Sequence, residues 1–175
     1  MKRLSDWCGD NFSGGRITEL SVYKGDTYKL ELEGGQTFFI NCAIVADYDL
    51  HEGGEMDAEL LEKLQHADKM RKAKKRALYL LGSRMYSYNE LYKKLLPTYG
   101  EEASRAAADA MQEYGYIDDA DYAGKLAEKL IHGKHYGMSK TRWEMQSRGL
   151  DKNLIEDILA EYTDDEIDEE IMRSE

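Results

Sequence analysis

Four histidines, two cysteines and a run of aspartates are the residues whose types could carry metal or nucleophilic chemistry here. His132 and His135 stand three apart and could share a helix face with a carboxylate. A zinc site, however, needs three or four ligands with supporting hydrogen bonds, so both are read as surface histidines near a helix end. Asp118-Asp119-Ala120-Asp121 is acidic enough to suggest Mg²⁺, but it lacks the glycine and terminal glutamate of a calcium loop. Asp118 or Asp119 ahead of Ala120-Asp121-Tyr122-Ala123 reads better as a helix N-cap. There is no GxSxG, GxGxxG or HExxH, and Gly133-Lys134 lacks the upstream glycine of a P-loop. Cys8 and Cys42 have no CxxC spacing and are read as free thiols of a reducing compartment. The expectation is a protein that is no enzyme and holds neither metal nor cofactor.

Charge is the chemistry that remains. The 175 residues carry a formal net charge of −11, which argues against a polyanionic partner until it is divided along the chain. Residues 1–68 sum to −8, residues 69–150 to +6 and residues 151–175 to −9. A cationic middle between acidic ends predicts a basic working surface. Six cations fall within Lys69 to Arg76, and Arg84, Lys93, Lys94, Lys134, Lys140, Arg142 and Arg148 follow. Such side chains can contact phosphates, and Tyr79, Tyr88 or Trp143 can stack on a base. The alternative is a solvated helix face, with Trp143 packed inside its own helical unit.

The elements that must hold these residues follow from periodicity. Residues 17–24, 27–33 and 36–41 alternate apolar and polar side chains across Gly25-Asp26 and Gly34-Gly35, which predicts a three-strand antiparallel meander. His51-Glu52-Gly53-Gly54-Glu55 closes it. Helices are expected over 56–67, with Leu60, Leu61 and Leu64 inward, and over 68–83, with Met70, Ala73, Ala77, Leu80 and Leu81 on one stripe. Ser87-Tyr88-Asn89-Glu90 has the capping-box pattern and opens a helix stopped by Pro97 and Gly100. Residues 101–114 form the next.

The pattern then recurs. A shift of 50 places Ala77, Leu80 and Leu81 on Ala127, Leu130 and Ile131, and Ser87, Leu91 and Leu95 on Gly137, Thr141 and Met145. With one deletion Gly100 falls on Gly149, and with a second Met111 to Tyr114 falls on Leu159 to Tyr162. Self-similarity at this period marks stacked three-helix units. The expected fold is mainly α: tandem three-helix repeats forming an elongated helical body, preceded by a small antiparallel β module. The segments are 1–55 (β module), 56–68 (connecting helix), 69–118 (repeat 1), 119–162 (repeat 2) and 163–175, an acidic start of an incomplete third repeat. The longest purely apolar runs are five residues, far short of the roughly 20 that span a bilayer, and the charged N-terminus shows no secretory signal, so a cytoplasmic location is expected.

Three motif segments carry a family resemblance. Arg84, Ser87, Glu90-Leu91 and Lys94-Leu95 spell R-x-x-S-x-x-E-L-x-x-K-L. Gly115-Tyr116-Ile117-Asp118-Asp119 precedes Tyr122-Ala123, and Lys134, Tyr136-Gly137, Arg142, Glu144, Met145 and Arg148-Gly149-Leu150 complete the set. In these elements, over about residues 69–162, the sequence resembles the RecX family of bacterial recombinase regulators. The β region is similar to the N-terminal extension of some members.

The resemblance implies a non-enzymatic, monomeric protein that binds RecA, lies along the groove of the RecA–DNA filament and limits filament growth, ATP hydrolysis and strand exchange in recombination, DNA repair and the SOS response. Partner or nucleic-acid contact is expected at Lys72, Lys75, Arg76, Arg84, Lys94, Lys134, Arg142 and Arg148, with weak, non-specific contact to single-stranded DNA. Arg84, Lys134, Arg142 and Arg148 are expected on the filament-facing side, while Glu90 and Glu144 make local helix-surface pairs. For any single arginine, pairing with helix-end carbonyls or carboxylates is an equal alternative. A different class, a DNA-binding regulator using a three-helix unit as a helix-turn-helix, is disfavoured. Ser139-Lys140-Thr141-Arg142 only partly supplies the base-reading residues such a helix needs.

Overall fold

Ladder chemistry and helix capping organise the chain into two compact units, Met1–Lys72 and Ala73–Glu175, seen in a computed structural model that describes Leu4 and residues 12–162. In the first unit β1 (Gly15–Lys24) pairs antiparallel with β2 (Thr27–Leu32), and β2 with β3 (Thr37–Asn41). Leu30, Leu32, Phe38 and Ile40, at period two on the strands, are fully buried. They form a core with Ile17, Ile44, Leu61 and Leu64.

The sheet has a fourth strand where the sequence pattern ended at three. β4 (Glu55–Met56) pairs with Gly15 and Arg16, giving the order β3-β2-β1-β4. The glycines read as a break make this possible. Gly53, at φ +89, donates to the Ile17 carbonyl (2.8 Å), and the Ile17 N–H returns to the Gly54 carbonyl (2.8 Å). The apolar run after β3 is a short helix, α1 (Cys42–Asp47), capped by the Asn41 side chain, which accepts from the Ala43 N–H. Cys42 is an exposed free thiol, and Cys8 lies outside the described residues.

α2 (Ala58–Leu81) is one helix where two were expected. No glycine or proline separates the two apolar stripes, and Asp68, read as a helix start, sits mid-helix paired with Lys72 four residues on (2.5 Å).

The second unit contains the end of α2, then α3 (Tyr88–Glu113), α4 (Asp119–Ile131), α5 (Met138–Ser147) and α6 (Lys152–Leu159). α3 is broken at Gly100, whose φ of 73° and ψ of 176° lie outside the helical region. The helix runs through Pro97, so glycine alone divides it. The two halves of α3 with the end of α2, and α4 with α5 and α6, are the two three-helix units that the sequence period predicts. Equivalent positions are buried in both: Ala77 and Ala127, Leu80 and Leu130, Leu91 and Thr141, Leu95 and Met145, Met111 and Leu159. Gly100 and Gly149 share a positive φ, at 73° and 74°. Thr141 stands where its counterpart is leucine, and its buried hydroxyl donates to the Tyr136 carbonyl (3.3 Å).

Trp143 corrects the reading that packs it inside its unit. It is 66 % exposed, because α5 turns Thr141 and Met145 inward and Trp143 falls between them on the outer side. Among the described residues no helix is long and apolar enough to cross a membrane. The acidic segment read as the start of a third repeat lies outside the described residues.

Candidate functional site

The three motif segments meet at the N-terminus of α3. Ser87 caps that helix, accepting from the Glu90 N–H (3.1 Å), while the Glu90 carboxylate accepts from the Ser87 N–H (3.4 Å). The Ser87 hydroxyl donates its own proton to the Arg148 carbonyl (2.5 Å). The Asn89 amide donates to the Gly149 carbonyl (2.7 Å), and Asp119 accepts from the Tyr88 N–H (2.8 Å). Asp118, one residue earlier, caps α4 by accepting from the Ala120 and Asp121 N–H groups. Two adjacent aspartates therefore cap two different helices. Among the described residues no group of three His, Cys, Asp or Glu side chains could hold a metal ion.

Glu90 is the electrostatic centre of this junction. Its side chain is only 15 % exposed, accepts from the Tyr122 hydroxyl (3.1 Å) and lies 3.4 Å from Arg84 and 3.9 Å from Arg148. Arg148 also donates to the Tyr122 oxygen (3.3 Å) and to Glu144 four residues back (3.1 Å). Glu144 thus makes the expected local pair, whereas Glu90 reaches from the first repeat into the second. Burial, with the Glu90 charge beside it, raises the Tyr122 phenol above its usual range. Burial and the hydrogen bond to Asp109 (2.5 Å) push Tyr88 up to about 12.

Beside this network lies an open groove of about 250 Å³. α4 supplies one wall. Tyr122, Lys125, Leu126, Lys129 and Leu130, at helical spacing, present two cations over an aliphatic floor. Arg84 and Met85, Lys134 and Arg148 complete it, so five cations line the groove; Lys125 pairs with Asp121 (2.7 Å), and Arg84 and Arg148 lie against Glu90. The repeat generates part of this charge. Arg84 lies over the Tyr86 ring (3.6 Å), and its counterpart Lys134 lies near the Tyr136 ring (5.5 Å).

Of the eight cations singled out in the sequence, the groove gathers Arg84, Lys134 and Arg148. Lys72, Lys75 and Arg76 lie on α2, with Lys72 paired to Asp68 and Arg76 lying 5.0 Å from the Tyr79 ring, 69 % exposed. Lys94 is exposed on the first half of α3. Arg142 makes a two-pronged ion pair with Glu156 on α6 (2.8 and 3.0 Å), which holds that carboxyl below its usual range. The sequence reading passed over Lys125 and Lys129. Their signal was lysine at i,i+4 beside Leu126 and Leu130 at the same spacing, two columns on one helix.

No family model matches the chain. Curated relatives do. It is 30 % identical over 154 residues to the regulatory protein RecX of Leuconostoc citreum (strain KM20), covering 86 % of this chain and 57 % of that protein. It is 28 % identical over 148 residues to the regulatory protein RecX of Clostridium botulinum (strain Alaska E43 / Type E3), covering 83 % and 69 %. These relatives support the RecX resemblance read in the sequence. The chain spans little more than half the length of its Leuconostoc RecX relative. In fold it resembles a crystal structure of regulatory protein RecX, with a TM-score of 0.72 at 24 % identity, covering 89 % of this chain and 77 % of that one. The RecX of Lactobacillus salivarius gives 0.56 at 24 % identity over 59 % of this chain. In this chain Ser87, Asp119 and Gly149 of the motifs form the repeat junction, and Arg84, Lys134 and Arg148 line the groove beside it.

Proposed function

We propose that this protein is a stoichiometric, non-enzymatic regulator that binds RecA or the RecA–DNA filament in the cytoplasm and limits filament growth, ATP hydrolysis and strand exchange. In this reading residues 69–118 and 119–162 act as two repeats presenting one basic face, and the β module of residues 1–55 with the first part of α2 is an accessory. The observation that carries the reading is the groove on α4, where five cations gather in a chain whose total charge is strongly negative, Lys129 and Lys134 beside the paired Lys125, Arg84 and Arg148. A nucleoprotein filament presents phosphate and protein together, and a surface of cations over aliphatic side chains suits both. Arg84, Lys134 and Arg148 belong to this face, joined by Lys125 and Lys129. Lys72, Lys75, Arg76, Lys94 and Arg142 are proposed as outer contacts that add non-specific attraction. The experiment is DNA-dependent ATP hydrolysis by RecA titrated with the protein. Hydrolysis falls as the two approach equal concentration, and an unchanged rate at several-fold excess rejects the proposal.

A further inference from the structure

The groove on α4 is amphipathic in a way that selects among anions. Lys129 and Lys134, with Lys125 shared with Asp121 in an ion pair of 2.7 Å, supply charge around a floor of Met85, Leu126 and Leu130. The one aromatic in it, Tyr122, is buried, with its hydroxyl held between Glu90 and Arg148, so it offers no open ring face for a base to stack on. Aliphatic floor and cationic rim together fit an acidic peptide with aliphatic side chains better than they fit a nucleic-acid strand.

The chain encodes such a peptide. Asp164-Asp165-Glu166-Ile167-Asp168-Glu169-Glu170-Ile171 holds six carboxylates in eight residues, with isoleucines four apart. The described residues end at Tyr162, whose ring packs 5.8 Å from that of His132 at the C-terminus of α4, between Lys129 and Lys134 in sequence. Nine residues reach about 30 Å when extended, and a 13-residue helix such as α4 is about 20 Å long. The whole groove is within reach.

We infer that residues 164–171 of the same chain seat in the α4 groove, carboxylates on the lysines and Ile167 or Ile171 on the aliphatic floor, as an internal competitor for the groove's partner. The regulatory meaning rests on the function proposed above, whereas the seating is independent of it.

Zero-length carbodiimide coupling of carboxylates to lysines in the full-length protein, with no RecA or DNA present, reads the seating directly. In monomer-sized product, peptide mapping is expected to join residues 164–170 to Lys125, Lys129 or Lys134. Coupling should fall several-fold in 1 M salt, where the screening length is about 3 Å. Links to the lysines of α2 instead, links only between chains, or none at all overturn the inference. A second measurement reads competition. Replacing the six carboxylates by Asn and Gln should strengthen binding to a labelled oligothymidylate several-fold, and this gain should vanish when Lys125, Lys129 and Lys134 are Gln. A gain that persists in that background shows long-range charge alone and also overturns the inference. Seating without any effect on RecA would reject the proposed function and leave the inference standing.

Discussion

Replacing Gly149 by alanine tests whether the two repeats are held together by the backbone approach seen at their junction. Gly149 has a φ of +74°, and an added Cβ would stand 2.7 Å from the Cβ of Asn89 and 3.7 Å from the Glu90 nitrogen. The left-handed backbone costs a non-glycine residue about 1–2 kcal/mol. The overlap is with the stem of Asn89, whose amide is tied to the Gly149 carbonyl, so it is relieved only by moving backbone, at a further 1–3 kcal/mol or so. Gly115 is the internal control. It has the same φ of +74° with nothing within 4 Å of an added Cβ, so only the first cost applies. Gly149→Ala should therefore destabilise the helical unit by about 2–5 kcal/mol and Gly115→Ala by about 1–2 kcal/mol. Urea denaturation followed by the helical circular-dichroism signal measures both, read as midpoints at constant slope. Equal losses for the two variants would refute the argument, because the contact with Asn89 would then carry no energy.

Glu90→Ala removes the reciprocal cap of α3 and the acceptor for Tyr122, and leaves Arg84 and Arg148 without their shared carboxylate. A loss of about 1–3 kcal/mol is expected in the same assay, with Glu90→Gln intermediate. Asp119 has its pKa raised, chiefly by burial, above its ordinary 3.8. Its ionisation therefore opposes folding, and the opposition sets in as pH rises past that value. Asp119→Asn keeps an acceptor for the Tyr88 N–H, so its stability relative to wild type should improve from pH 3 to pH 6; a constant difference across that range would contradict the assignment. Changing Lys72, Lys75 and Arg76 together to Glu, or separately Lys125, Lys129 and Lys134 to Glu, should each weaken single-strand binding. Each lost phosphate contact flattens the log-log salt slope by roughly 0.7, and an unchanged slope in either variant removes that cluster from the contact surface.

Strand alternation and the 50-residue recurrence made most of the fold legible, because burial repeats at Ala77 and Ala127, Leu80 and Leu130, and Leu95 and Met145, and positive φ repeats at Gly100 and Gly149. Features that depend on pairing between distant residues were not legible. Glu55–Met56 has no strand pattern of its own and is a strand only because β1 offers it a free edge. The boundary placed near Asp68 failed because two amphipathic stripes in one uninterrupted run of helix formers are one helix. Trp143 was misplaced for a related reason, since an aromatic inside an amphipathic segment signals burial only when it shares the angle of the apolar stripe. At the site, single-residue charges were visible but their sorting was not. Arg142 turns to Glu156 on α6 and Arg148 to Glu90 across 58 residues of sequence, while Lys125 and Lys129 gain meaning only once Arg84 and Lys134 face them.

Under the proposed function, the α4 groove is the surface through which this protein limits RecA filaments. Filament growth on single-stranded DNA, followed by light scattering with RecA in fixed amount, should be slowed by the wild-type protein. Growth should return to the uninhibited rate with the Lys125, Lys129 and Lys134 to Gln variant, whose helical signal and thermal melt match wild type. A folded variant that still slows growth at wild-type concentrations would contradict the account.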